Sequence, residues 1–154
     1  MSKIKTLLAV ASAVILAIVM SGCGDSDSKK AQPEIEIKRH VDTAVKIFEL
    51  VAKGDVEGLK PLVPYDTTNG REYFYRYYEI AHNTIQECGG VTKFEPVYMD
   101  GFCKDIGGCR VFMKADLGDG RLAEITVSLQ EKNGVVQGEP FRMVLIRFIP
   151  RINR

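Results

Sequence analysis

The stretch FELVAKGDVEGL, residues 48–59, joins the end of one helix to the start of the next. Gly54 can end a helix in a left-handed conformation, and Asp55 can cap the helix that follows. Apolar residues recur upstream at steps of three and four, which predicts an amphipathic helix from Pro33 that buries Ile37, Val41, Ala44, Val45, Phe48, Val51 and Ala52. A short second helix is expected from Val56 to Leu62, before Pro64.

A third helix is predicted after a turn-rich loop at residues 66–70. Its shared apolar face ends at Gly89-Gly90 and consists of Tyr73, Phe74, Tyr77, Tyr78, Ala81, Ile85 and Cys88. Beyond Gly90 the apolar period changes to two, which indicates four strands at residues 91–102, 109–117, 121–132 and 141–149. Gly118-Asp119-Gly120 favours a hairpin between the second and third strands, and a longer excursion is expected at residues 135–140.

Helices followed by an antiparallel meander predict one α+β domain, residues 33–154, with the helices on one face of the sheet. Two predicted strands are apolar on both faces, at residues 111–113 and 143–146. One face would meet the helices, and the other is available to a partner, a second copy or a ligand.

This order resembles the nuclear transport factor 2-like (cystatin-like) superfamily, and residues 48–59 carry the resemblance through their apolar helix, Gly-Asp corner and short helix. The resemblance implies that the helices pack into the concavity of a curved antiparallel sheet, a cystatin-like roll. Several families of small bacterial envelope lipoproteins of unknown function resemble this order of elements as well. Members of the superfamily typically have a strand between the second and third helices. In this chain it would have to come from residues 64–68, which are few and turn-like.

The N-terminus has the pattern of an export signal. Lys3 and Lys5 precede an apolar run from Leu7 to Met20, about 14 residues long and shorter than the roughly 20 that a membrane-spanning helix needs. Met20-Ser21-Gly22-Cys23 resembles the bacterial lipobox, which implies signal peptide cleavage after residue 22 and acylation of Cys23, with palmitate among the chains. Two or three acyl chains would anchor the protein to the membrane permanently.

Residues 23–32 then form a flexible tether, since Gly24 to Gln32 are rich in Ser, Asp and Lys and would span roughly 16 Å. Enteric lipoproteins with Asp directly after the lipidated cysteine stay in the inner membrane, and this chain has Gly24 there. We therefore expect a lipid-anchored protein of the bacterial cell envelope, on the outer membrane facing the periplasm if the host is Gram-negative.

Composition adds no sign of a nucleic-acid partner. Loss of residues 1–22 would remove Lys3 and Lys5, lowering the formal net charge from +1 to about −1.

Three cysteines remain in the exported chain, in a compartment that favours disulfides. Cys103 and Cys109 flank five residues that can form a hairpin loop, so they are the favoured pair. Pairing of Cys88 with either one, or three reduced thiols, are the alternatives. No metal site or cofactor is predicted, because the cysteine spacing is not CxxC and neither histidine is close in sequence.

Enzymes of this superfamily use an acid or a tyrosine inside the cone of the sheet. The residues that could form such a pocket are Tyr73, Tyr77, Tyr78, Tyr98 and Asp100. Tyrosines at helical spacing are usually core residues, and Asp100 before Gly101 is typical of a turn. His40 and His82 are expected to be exposed or partly packed, away from the main apolar helix faces.

The sequence therefore favours a non-catalytic, lipid-anchored binding or accessory module of the envelope. Its partners would be the membrane, reached through the lipid anchor, and an envelope protein or a second copy of the chain. The alternative is a small cone-pocket enzyme of isomerase or hydrolase type that uses Tyr and Asp.

Overall fold

The computed structural model describes residues 31–100 and 108–150, with side chains from residue 37 onward. Three helices, α1 (Ala31–Lys53), α2 (Val56–Leu59) and α3 (Thr68–Glu87), precede five strands, β1 (Val91–Asp100), β2 (Cys109–Leu117), β3 (Leu122–Lys132), β4 (Val135–Gly138) and β5 (Val144–Phe148). The predicted signal peptide, the predicted lipidation site Cys23 and the cysteine Cys103 lie outside the described residues. The chain divides into two compact units between Lys38 and Arg39; the first includes the start of α1, and the second is described below.

The predicted Gly-Asp corner is confirmed. Gly54 has a φ of +78°, and the backbone N–H of Asp55 donates to the carbonyl of Leu50 at 2.9 Å, so α1 ends in a Schellman-type turn. The Asp55 carboxylate then accepts a hydrogen bond from the Gly58 N–H at 2.8 Å and caps α2. Helix α2 ends at Leu59, three residues before the predicted limit.

Helix α3 begins inside the predicted loop at residues 66–70. The hydroxyl of Thr67 accepts a hydrogen bond from the Gly70 N–H at 2.9 Å, and this N-cap starts the helix at Thr68. The prediction of a loop up to Gly70 was wrong, because the cap satisfies the first-turn amide despite the poor helix propensity of Asn69 and Gly70.

The sheet is antiparallel, curved and open, with strand β3 at its centre. Strand β2 pairs with one edge of β3, and β1 lies outside β2. The other edge of β3 is divided, because β4 pairs with residues 129–132 and β5 with residues 123–127. The sheet thus has five strands within residues 91–100 and 108–150, where four were predicted.

The additional strand corrects the prediction for residues 135–140. Residues 135–138 pair with β3, and β5 begins at Val144, later than the predicted Phe141. The chain leaves the sheet between the two strands, where Arg142 has a φ of +63°. The excursion is therefore shorter than predicted and separates two strands on one edge.

The core lies between the helices and the inner face of the sheet. Phe48 of α1 packs edge to face on Phe94 of β1, with ring centroids 5.0 Å apart. Buried strand residues alternate with exposed ones, and those of β2 and β3 that join the core are Cys109, Val111, Met113, Ala115, Leu117, Ala123, Ile125, Val127 and Leu129. Each large apolar side chain buried in this way contributes about 1.5–3 kcal/mol to folding.

A close backbone contact joins the end of α3 to the β2–β3 hairpin. The N–H of Gly118 donates to the carbonyl of Gly90 at 2.9 Å, and the N–H of Asp119 donates to the carbonyl of Cys88 at 2.8 Å. A Cβ atom on Gly118 would stand 2.1 Å from the carbonyl oxygen of Gly89. Only glycine at residue 118 permits this approach, which ties the helical layer to the sheet.

We predict that Gly118→Ala lowers the free energy of unfolding by about 1–3 kcal/mol, since the methyl group meets backbone that has little room to move. Gly108→Ala is the matched control, because the nearest atom to its added Cβ among the described residues would be the carbonyl oxygen of Leu129 at 3.4 Å. Urea denaturation of both variants is the measurement, and equal midpoints would contradict the prediction.

Candidate functional site: the outer face of the sheet

The five residues of the predicted cone pocket lie in three places. Tyr73 and Tyr77 stack on each other along α3, with ring centroids 6.3 Å apart, and Tyr73 also contacts Phe141 at 4.5 Å. Tyr78 stacks on the His82 ring with centroids 5.7 Å apart. Burial raises the pKa of Tyr78, with smaller contributions from Asp55 and Glu79, so this phenol is harder to ionise than an ordinary tyrosine.

Tyr98 and Asp100 belong to the other side of the sheet. In β1 they alternate with Met99, which pairs with the buried Val111, and they therefore point away from the helices. Asp100 binds Arg110 in an exposed ion pair at 2.6 Å. The structure does not bring Tyr98 and Asp100 together with the three α3 tyrosines.

His82 contributes to the helical corner. Its Nδ1 lies 2.8 Å from the carbonyl oxygen of Val51 in the last turn of α1, and Gln86 Nε2 donates to the carbonyl of Ala52 at 3.3 Å. A ring N–H that donates to a helix C-terminal carbonyl satisfies a group that has no partner within its own helix. The half-buried His82 fits the predicted partly packed state, and these contacts give it a structural role.

The prediction for His40 was wrong. Its exposed fraction is only 4%, because it lies one turn before Ala44 on the same buried stripe of α1. Its Nε2 is 3.8 Å from Glu131 Oε2, and Arg39 Nη2 is 3.3 Å from Glu131 Oε1. Arg39 also donates to the carbonyl of Gly134 at 3.3 Å, so this cluster holds the β3–β4 turn against α1.

Cys88 is a free, buried thiol. Arg121 Nη2 lies 3.0 Å from its Sγ, while the same guanidinium binds Asp119 and covers the ring of Phe148. These contacts lie at the junction of α3 and the β2–β3 hairpin. Cys109 is buried on the inner face of β2, and the predicted Cys103–Cys109 disulfide remains a prediction because Cys103 lies outside the described ranges.

Within residues 31–100 and 108–150, no group of three or more His, Cys, Asp or Glu side chains is placed to hold a metal ion. In the same ranges no helix is both long enough and apolar enough to cross a membrane.

The outer face of the sheet, directed away from the helices, carries an apolar row across four strands. The strand register places these residues side by side in the order Tyr98, Phe112, Thr126 and Leu145. Tyr98 and Phe112 stack with centroids 4.3 Å apart and an interplanar angle of 10°. Tyr98 is 49% exposed and Leu145 is 42% exposed, so the apolar row presents carbon to solvent.

A charged row lies beside the apolar row on the same face. Across the same strands it reads Glu95, Lys114, Glu124 and Arg147, so acidic and basic residues alternate. Arg147 Nη2 binds Glu124 Oε1 at 3.1 Å, with 79% of the arginine side chain exposed. Lys114 and Glu95 form no ion pair with any other residue of the described ranges.

A groove of about 160 Å³ lies beside the charged row. The residues that line it include Lys93, Glu95, Lys114 and Asp116, together with Leu122 and Ile149. The outer face is therefore not flat at this groove. The acidic and basic side chains that line the groove belong to the neighbouring strands β1 and β2.

The prediction that two strands are apolar on both faces holds only at Phe112 and Leu145, which lie opposite the core. The other outer residues of β2 are charged, namely Arg110, Lys114 and Asp116. The two rows were not predicted from the sequence, since they exist only through the register that sets Lys114 beside Glu124. The sequence did contain one signal of the charged row. Polar residues occur at alternate positions of β2, at Arg110, Lys114 and Asp116.

Comparison with known proteins identifies no matching family model, curated protein or solved structure for this chain.

Proposed function

We propose that this chain is a lipid-anchored lipoprotein of the bacterial cell envelope that acts as a non-catalytic binding or accessory module. Its fold in this proposal is the cystatin-like roll of the nuclear transport factor 2-like superfamily. The order of three helices, a Gly-Asp corner at residues 54–55 and a curved antiparallel sheet supports that assignment. The lipobox-like residues 20–23 support the anchor, with the outer membrane facing the periplasm as the location in a Gram-negative host.

The observation that carries the binding role is the outer face of the sheet. The apolar row exposes Tyr98 and Leu145, and the charged row beside it contains Lys114 and Glu95, which have no ion pair within the described residues. Exposed apolar surface bordered by available charges is typical of an interaction site. The inner face is filled by side chains such as Phe48, Phe74 and Met113, each completely buried.

The placement of the candidate catalytic residues favours binding over the enzyme alternative. A cone-pocket enzyme would need a tyrosine and an aspartate within hydrogen-bond reach of one reacting atom. Asp100 and Tyr98 point to the outer face, whereas Tyr73 and Tyr77 lie on α3 beside Phe141.

Lipidation is tested by substitution of the lipobox cysteine in the full chain. We expect Cys23→Ser to abolish incorporation of labelled palmitate and to move the protein from the membrane fraction to the soluble fraction, since an acyl chain provides about 0.8 kcal/mol per buried methylene. Cys88→Ala is the control and should keep both label and membrane attachment. Unchanged palmitate labelling of Cys23→Ser would contradict the lipoprotein assignment.

The binding face is tested by a photoreactive amino acid placed in the full chain in intact cells. We expect the probe at Leu145 or Tyr98 to give discrete crosslinked species, because these side chains lie on the proposed interface. The same probe at Lys46, exposed on α1, is the control and should give none of those species. Identical crosslinking patterns at all three positions would rule out the outer face as the binding surface.

A further inference from the structure

We propose that the outer edge of strand β5, together with the side of α3 next to it, accepts an extended segment of a partner protein. The segment adds to the sheet as a further strand, with apolar side chains towards α3 and acidic side chains on the opposite side. This inference rests on the proposed binding role and extends it from the outer face to an edge of the sheet. It adds the conformation and the chemistry of the partner.

Alternate residues of β5 direct their backbone groups away from the rest of the sheet. The carbonyl of Met143 accepts a hydrogen bond from β3 at 3.0 Å, and the N–H of Ile149 donates to β3 at 2.9 Å. Because the register between β3 and β5 is regular, the residues bonded to β3 recur at every second position between these two. The N–H and C=O groups of Ile146 and Phe148 therefore point outwards.

These outward backbone groups have no hydrogen-bond partner within residues 31–100 and 108–150. In these ranges β5 pairs with β3 alone, and no loop or side chain bonds to the backbone of Ile146 or Phe148. An extended peptide supplies both the donors and the acceptors that such an edge needs, which is the basis of strand addition.

The other described edges of the sheet are interrupted or covered. Strand β1 contains Pro96, which has no N–H to donate, and its pairing with β2 is irregular at residues 91–93 and 96–98. The edge of β4 is covered where the N–H of Gly138 donates to the carbonyl of Leu62 at 2.7 Å. Strand β5 has no proline and a regular register. An exposed apolar edge without such protection indicates a specific partner.

One side of α3 provides an apolar wall for the incoming segment. Tyr73, Tyr77 and Ile80 follow one another at steps of four and three residues, so they share one side of the helix. The opposite side bears His82 and Gln86, which bond to the last turn of α1. The apolar side of α3 therefore faces away from α1.

Contacts at both ends align α3 with β5. Near the start of the helix, Tyr73 contacts Phe141, which precedes β5, with ring centroids 4.5 Å apart. Just after the helix, the Cys88 thiol lies 3.0 Å from Arg121, and the same guanidinium covers the ring of Phe148 at 4.4 Å. The helix and the strand thus run side by side in the same direction. Every second side chain of an added strand would point to the apolar side of α3.

The charges closest to this edge are positive. Arg147 is the one charged residue of β5, and its partner Glu124 lies one strand further in, on β3. Arg76 lies beside the apolar side of α3 and forms no ion pair with a described residue. Arg142 adds a positive charge just before β5, near the Glu139 carboxylate. A segment with acidic residues on its outer side complements these arginines.

The test begins with a displayed library of short random peptides, selected on the full-length chain in detergent micelles. We expect the selected peptides to alternate apolar and acidic residues. A synthetic copy of one such peptide is then added to the isotope-labelled chain, and amide hydrogen exchange is followed by NMR.

We expect the amides of Ile146 and Phe148 to exchange roughly tenfold more slowly when the peptide is bound, because peptide carbonyls then accept hydrogen bonds from them. The amides of Leu145 and Arg147 are the internal control. They already bond to β3, so their exchange should be slow with and without the peptide.

Two variants test the edge and the apolar wall separately. Ile146→Pro removes an outward N–H but no hydrogen bond to β3, so we expect roughly tenfold weaker peptide binding. Ile80→Glu sets an acid against the acidic peptide and should weaken binding as well, which keeps the test decisive if the proline variant does not fold. Val135→Glu on β4 is the matched control, because Val135 is 59% exposed and Ile80 is 54% exposed. It should leave binding unchanged.

Three results would overturn the inference. The first is that no peptide is selected, or that the peptide leaves the exchange of Ile146 and Phe148 unchanged. The second is slow exchange of these amides in the free chain at every protein concentration, since a segment of this chain would then occupy the edge. The third is protection that grows with protein concentration, which would make the occupant a second copy.

The proposed function is judged by separate readouts. Photocrosslinks from Tyr98, on the far strand, and palmitate labelling of Cys23 do not depend on the edge of β5. If these succeed and no peptide binds the edge, the inference fails alone and the binding role of the outer face stands. If these fail while the peptide protects Ile146 and Phe148, the edge stands and the proposed function fails.

Discussion

A β-sheet has two faces, and the three helices described in this chain cover only one of them. The inner face takes alternate residues from β2 and β3, such as Val111 and Ile125, and buries them with Phe48 and Phe74. The period of two then fixes the residues between them on the opposite face. The residues on the outer face therefore do not need to be apolar to fill the core.

Close contacts at the junction between the helices and the sheet fix how the helices lie on the inner face. Gly118 approaches the backbone of Gly89 too closely for any side chain, and Arg121 extends beside the Cys88 thiol from the same hairpin. At the other end, Arg39 and His40 hold the β3–β4 turn through Glu131. Polar groups on the helix side thus fasten elements together, while Lys114, Glu95 and the exposed ring of Tyr98 remain available on the outer face.

The local signals in the sequence were sufficient for the existence and order of the three described helices, the Gly54-Asp55 corner and the hairpin at residues 118–120, because caps and turns depend on nearby residues. They did not locate the start of α3 or the end of α2. The sequence did not reveal β4, since the four residues from Val135 to Gly138 form a strand through their pairing with β3. His40 was misplaced because the helical periodicity was taken to place it off the apolar face of α1, although it lies one turn before Ala44 on the buried stripe. The two rows were hidden because the register of separate strands creates them.

The accessibility of the outer face to solvent in living cells shows whether a partner covers this face. A thiol-specific, membrane-impermeant reagent would be applied to full-length chains carrying Thr126→Cys or, on the exposed surface of α1, Lys46→Cys. We predict that the thiol at residue 126 reacts several-fold more slowly in intact envelopes than in dilute detergent solution, because a partner covers it, while the thiol at residue 46 reacts equally in both. Equal reaction rates of the residue 126 thiol in the two conditions would show that the outer face is uncovered and would contradict the account.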